Sequence, residues 1–208
     1  MKDKILQTAH RQFLKYGIRK ISIQKLVAPL GISTKTVYKY YKNKEELLEE
    51  VLHLYHTQQY QMLENLSTDQ NVVPLLFDIW YMAVEREHKV NKVFFQDLHY
   101  YYPELERKTE AAIGGKFWKR FLEIVEKGIN EGLFKKNIIP VVVLEGMSAL
   151  YKAIARNGQF KKFPVSPYDI MLNTIAIYIR GFCTRKGIKE LDKHIDTLKP
   201  SGRKKLTI

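Results

Sequence analysis

Between Ser22 and Lys44 the chain places Ser22, Thr34, Lys35, Thr36, Tyr38, Lys39, Tyr40 and Lys44 among short apolar runs, and no acidic residue occurs between Asp3 and Glu45. Hydroxyls, phenols and ammonium groups of this kind reach phosphate oxygens and base edges. Two other sets of residues carry possible chemistry. Glu50 with His53, and Glu85 with His88, give the Glu-x-x-His spacing of a ferritin-like carboxylate metalloenzyme, and His53 and His56 share a helix face. Against a metal cage, Glu85, Arg86, Glu87, His88 and Lys89 form an unbroken charged run that reads as a solvated helix end. Residues 80–121 are rich in aromatics, which suit an apolar or planar ligand and which also build ordinary cores. Trp80, Phe95, His99, Tyr102 and Trp118 are the candidate lining residues. No Gly-rich phosphate loop, nucleophile elbow or Cys/His zinc spacing occurs, so no catalytic residue, metal ligand or cofactor is assigned.

The elements that must carry these residues are helical. Ile5, Leu6, Ala9, Phe13 and Tyr16 recur at spacings of three and four, which predicts a helix over 4–16 that Gly17 stops. Ser22 caps a second helix with Ile23, Leu26, Val27 and Leu30 inward, and Gly31 ends it. Ser33 caps a third from Thr34 to about Tyr41, with Val37 and Tyr41 inward; Asn43 with Glu46 makes a capping-box-like entry to a fourth. Helix, Gly-containing turn and helix from Leu26 to Val37 have the spacing of a helix-turn-helix. Pro29 lacks an amide donor and crowds the carbonyl four residues back, which predicts a bent or shortened last turn.

Charge is distributed in the same sense. The chain has 208 residues and net charge +13, and residues 1–44 hold eleven Lys/Arg against one acid. Residues 185–208 hold eight against three, while 45–184 are close to neutral. Clustered Lys and Arg are the electrostatic footprint of a polyanion, because counterion release rewards them. No run of about 18 apolar residues and no apolar signal core is present, and the single Cys183 fits a reducing compartment, so a cytoplasmic protein without membrane contact is expected.

The residues of this N-terminal block resemble the DNA-binding domain of the tetracycline-repressor (TetR) family of bacterial transcriptional regulators, over roughly residues 4–52. The resemblance rests on Phe13 and Gly17, on Ser22, on the turn Gly31, Ile32 and Ser33, on Tyr38 to Tyr41, and on Lys44 with Glu45, Glu46 and Leu47. Tyr41 stands where Phe is more usual, and Leu30 where Ala is common. The resemblance implies base-edge contacts from Thr34, Lys35, Thr36, Lys39 and Tyr40, and phosphate contacts from Ser22, Tyr38 and Lys44. It further implies a double-stranded DNA operator, a small-molecule effector that releases it, and a homodimer.

Further along, the pattern predicts a long helix from Glu45 to about Leu66, another from Val72 to Glu87 with Pro74 in its first turn, and an aromatic piece at 93–105. Prolines then open helices at Pro103 (to about Asn130), Pro140 (to about Arg156) and Pro167 (to about Arg185). The last two are apolar on more than one face, and the resemblance assigns 140–156 and 167–185 to the dimer interface. The expectation is an all-α chain of about nine helices: a helix-turn-helix domain at 1–46, an effector-binding and dimerisation domain at 47–190, and a basic tail at 191–208. The competing readings are the metalloenzyme above and a DNA-binding dimer without a ligand.

Overall fold

A computed structural model describes residues 1–67, 70–156, 159–160 and 162–198, so the basic stretch 199–205 lies outside the described residues. Those residues form α1 (Lys2–Tyr16), α2 (Ile23–Val27), α3 (Thr34–Tyr38), α4 (Lys44–Glu64), α5 (Val72–Lys89), α6 (Lys92–Tyr101), α7 (Pro103–Asn130), α8 (Pro140–Tyr151), α9 (Pro167–Leu172), α10 (Ile175–Phe182) and α11 (Arg185–Thr197). The fold is all-α; among the described residues the only extended pairing is an isolated bridge between Phe134 and Cys183.

Local chemistry sets the first four helices. Ser22 Oγ accepts the Lys25 amide at 3.2 Å, and Asn43 Oδ1 accepts the Glu46 amide at 2.9 Å, each satisfying a donor that a helix start leaves open. Glu46 reaches back to the Lys42 amide at 2.5 Å. α2 stops at Val27, and Ala28–Leu30 tighten into a 3-10 turn around Pro29, which has no amide to continue the α ladder. Gly31 closes the turn at φ 61°. Ser33 differs from expectation: its hydroxyl pairs with that of Thr36 at 3.2 Å and makes no cap bond.

Two cores result. The first gathers Ile5, Phe13, Leu26, Val37, Tyr41, Leu48, Leu52 and Tyr55 with Phe94, Phe95 and Leu98 of α6. The boundary expected at 46/47 therefore falls too early, because the inner face of α4 belongs to the N-terminal core as far as Tyr55, about three turns in, and α6 returns to it. α6 is also bonded to the end of α1 and the following loop. The Asn91 amide donates to Leu14 O at 2.9 Å, its side chain donates to Lys15 O at 3.0 Å, and the Arg19 amide donates to Asp97 at 2.8 Å.

The second core joins α5, α7, α8, α9, α10 and α11. Where one helix was expected from Pro167 to Arg185, the chain breaks at Asn173 and Thr174; the Thr174 hydroxyl donates to Ile170 O at 2.6 Å, capping the first segment. The tail expected from 191 begins later. α11 runs to Thr197 because Leu191 is fully buried, Asn71 donates to Glu190 at 2.9 Å, and His194 bonds Asp78 at 2.7 Å.

Gly17 is the tightest point of the α6 clamp: it ends α1 at φ 88°, and a Cβ there would lie 2.7 Å from Val93 Cγ1. Gly17→Ala therefore combines a disfavoured backbone with an overpacked contact. It should lower stability by about 2–3 kcal/mol, read as a shift of the urea midpoint at unchanged slope.

Candidate DNA-contact face and ligand cavity

α3 presents a hydroxyl-rich, basic surface. Lys35, Tyr38, Lys39 and Tyr40 are exposed, while Thr34 and Thr36 are half-buried. Backbone bonds from Lys39 to Lys35 O and from Tyr41 to Val37 O carry helical geometry past the end of α3, so that Tyr40 stays outward while Tyr41 turns in and donates to Glu50 at 3.0 Å. Ser22 is exposed, with its oxygen already accepting a cap bond. Lys44 is placed otherwise than expected. Its ammonium donates to Ile18 O at 2.5 Å and lies 5.6 Å from the Phe13 ring centre, so it fixes the loop before α2 from inside; burial lowers its pKa.

A cavity of about 530 Å³ opens between α4, α5, α7 and α8. Trp80 and Trp118 line it with Ile79, Phe117, Phe121 and Leu144; Trp80 stacks on Phe121 at 5.0 Å between ring centres. Phe95, His99 and Tyr102 do not line it. Phe95 is buried in the N-terminal core, Tyr102 packs against that core, and His99 is exposed beside Glu106 at 3.4 Å. They follow α6, which turns toward the DNA-contact domain rather than the cavity.

Sequence reading missed the polar groups at one end of this cavity. Glu87, read as part of a solvated run, is fully buried and accepts from the Tyr55 hydroxyl at 2.6 Å and the Tyr151 hydroxyl at 2.7 Å. The signal was available: Trp80, Val84 and Glu87 follow helical spacing on the buried face of α5. Lys152–Arg156 form a π-helical turn, which carries Lys152 and Arg156 into the cavity wall beside His56, Arg86 and Glu110. Arg156 pairs with Glu110; burial opposes its charge, but Glu87, Tyr151 and Glu110 outweigh burial and raise its pKa. Burial, and next Glu87, push both tyrosines well above their ordinary values, so they remain donors. Burial also raises the Cys183 thiol to about 12.

The Glu-x-x-His pairs build no metal cage. Glu50 is engaged by Tyr41 and Lys2, His53 lies 3.8 Å from Glu49, and Glu85 faces Lys89 at 4.0 Å. Among the described residues no group of three or more His, Cys, Asp and Glu could hold a metal ion, and no helix is long and apolar enough to cross a membrane.

A helix-turn-helix with a basic outer face, joined by a long helix to a cavity-bearing bundle, defines a DNA-binding regulator. Residues 5–51 match the model of the bacterial regulatory proteins of the tetR family, so the N-terminal quarter of the chain is of that family's type. The HTH-type transcriptional repressor KstR2 of Mycolicibacterium smegmatis is 25% identical over 146 residues, covering 66% of this chain and 69% of its own. The fold is that of the fatty acid degradation regulator FadR of Bacillus halodurans, at TM-score 0.69 and 17% identity over 86% of this chain and 95% of that one. FadR of Bacillus subtilis, solved in complex with stearoyl-CoA, superposes at TM-score 0.67 and 16% identity over 88% of this chain and all (100%) of its own.

The buried imidazole at the cavity gives a pH dependence. Burial, and next Arg156, lower the His56 pKa to about 4, with Glu110, His53 and Arg86 also facing it. The unfolded chain then binds the proton first, so stability present above the unfolded value is lost as pH falls from about 6.5 toward 4. His56→Gln should remove about 2 kcal/mol of the stability difference between pH 7.5 and 5, measured by urea unfolding of both proteins at both pH values.

Proposed function

We propose that this chain acts as a homodimeric repressor that reads its operator through α3 and is released when a small molecule enters the cavity. The observation that carries the reading is physical continuity. The basic face of α3 and the wall of the cavity share α4, and α6 bonds the loop after α1 to the bundle. Lys35, Lys39 and Tyr40, with Thr34 and Thr36, are assigned to base edges and nearby backbone. Tyr38 and Ser22 are assigned to phosphates, while Lys44 supports them from within rather than touching DNA. Its work is binding and not catalysis.

Dimerisation is assigned to α8 and α10. Ile139, just before α8, is 66% exposed, Val142 on α8 61% and Ile177 on α10 59%, and the two helices pack on each other at Gly146 and Tyr178. An apolar face of this kind is what a second copy covers in a two-fold assembly. Two such subunits would set their α3 helices to enter successive major grooves, roughly 34–36 Å apart in the simplest half-site geometry. Ligand binding would favour an arrangement in which that spacing is lost.

Two measurements test the reading on a duplex selected from random sequence by the purified protein. Lys39→Ala should weaken binding at least tenfold and reduce the slope of log K against log salt by about one. The double variant V142D/I177D should elute at half the mass of the parent on size exclusion and bind the duplex at least tenfold more weakly. A dimer that survives both charges would move the interface elsewhere.

A further inference from the structure

The cavity is chemically two-ended. Along α4, moving away from the DNA-contact domain, His56 and Gln59 precede Leu63 and Leu66; along α7, Arg107 and Glu110 precede Phe117, Trp118 and Phe121. α5 runs the other way, with Ile79 and Trp80 before Arg86, and α8 passes from Leu144 to Tyr151 before its π turn reaches Arg156. The ion pair of Lys108 with Glu49 and the bond from Arg120 to Leu66 O show that α4 and α7 lie side by side in the same direction. All the charged lining residues therefore gather at the end next to the DNA-contact domain, and the far end is aromatic and aliphatic.

The cavity wall is also short of acceptors. Among the described residues six buried side-chain N or O atoms have no hydrogen-bond partner: Gln59 Nε2, Trp80 Nε1, Arg86 Nε, Arg156 Nε, His10 Nε2 and Glu87 Oε2. The first four belong to cavity-lining residues, and all four are N–H donors. Trp80 is more than nine-tenths buried. Arg156 is neutralised by Glu110, but Arg86 has no carboxylate within ion-pair distance among the described residues, and its hydrogen-bond acceptor is the Met62 thioether at 3.6 Å. A half-buried guanidinium whose Nε is buried and unpartnered, and a set of unpaired donors around it, are stabilised by a ligand that brings acceptors and negative charge.

Building on the ligand-responsive reading above, we propose that the effector is an anionic amphiphile. Its apolar body lies among Ile79, Trp80, Phe117 and Phe121, and its acidic head meets Arg86 at the end beside Arg156 and Gln59. A volume of about 530 Å³ falls within the roughly 300–1,000 Å³ of sites that enclose drug-sized ligands. The head group sits where it competes with Glu110 and Glu87 for Arg156, which lies 5.6 Å from the ring centre of Phe95, a residue of the N-terminal core. This arrangement links the charge of the ligand, and not only its bulk, to the DNA-contact domain.

The two tryptophans of the chain, Trp80 and Trp118, both line the cavity, so their fluorescence reports occupancy directly. The full chain is titrated with decanoate and palmitate, with the neutral decanol and hexadecanol, and with palmitoyl-CoA. The expected result is that at least one acid, or the thioester with its phosphates, binds ten times or more tightly than the alcohol of the same length. Which of the two wins identifies the source of the negative charge. Arg86→Gln, which keeps donors and removes charge, should abolish that preference while changing alcohol binding less than twofold. Alcohols that bind as tightly as the acids and the thioester, no binding by any acid or thioester, or an unchanged preference in Arg86→Gln would overturn the proposal. Anisotropy of a labelled duplex on the same samples separates the two claims. Alcohols that bind equally and still release DNA defeat the anionic head alone; acids that bind through Arg86 and leave DNA affinity unchanged defeat the release reading alone.

Discussion

The structure turns on a buried carboxylate. Glu87 is fully removed from water, an arrangement that is strongly unfavourable for an ionised group unless it is hydrogen-bonded and faced by opposite charge. Residues from elsewhere in the chain supply both for one of its oxygens: hydroxyls from Tyr55 on α4 and Tyr151 on α8 converge on Oε1 and Arg156 faces it with opposite charge, while Oε2 is left without a partner among the described residues. Tyr55 belongs to the N-terminal core, whereas Tyr151 lines the cavity. One carboxylate thus requires two domains to keep a common geometry, because moving either tyrosine leaves a buried acceptor short of a donor.

That requirement explains why α4 and α6 behave as parts of the DNA-contact domain. α4 cannot rotate independently of α5 while Tyr55 bonds Glu87, and α6 follows α5 directly through Val90 and Asn91. α6 in turn holds the loop before α2 by the bond from Arg19 to Asp97, and Lys44 holds the same loop from below through Ile18 O. Packed side chains and backbone bonds thus run without a gap from the cavity end of α5 to the base of the helix-turn-helix, a route by which a change at the cavity would reach it.

The frame was legible in the sequence because it depends on local chemistry. Ser22, Asn43, Gly17, Gly31 and the prolines at 103, 140 and 167 act on the backbone within a turn of themselves, and the helix starts and stops follow them. The exposure of Lys35, Tyr38, Lys39 and Tyr40 was legible for the same reason. The polar end of the cavity depends on tertiary placement and was not. A charged run on a helix end looks solvated until the neighbouring tyrosines are known, so Glu87 was read as surface. Phe95 and Tyr102 were read as pocket walls because aromatic content does not reveal which core a helix faces, and α6 faces the DNA-contact domain. Lys44 looked like a phosphate anchor, yet its carbonyl partner lies 26 residues earlier in the chain, beyond any local pattern.

A switch needs more than an occupied cavity. Moving a two-state equilibrium from 1:99 to 99:1 takes about 5.5 kcal/mol of differential affinity, and contacts made equally in both states contribute none of it. The aromatic end of the cavity is built from Trp80, Phe117 and Phe121 inside one bundle, so it would surround a ligand body with the same residues whichever way the DNA-contact domain is set. It supplies affinity, with little bias between states. The polar end is different, since Arg86, Arg156 and Glu110 stand beside the Glu87 bridge that couples the two cores. Hydrogen bonds to charged groups contribute about 1.5–3 kcal/mol each, so a head group that rearranges two or three of them there reaches the differential a switch requires. On the proposed geometry the body of the ligand would set how tightly it binds, and its head what binding does.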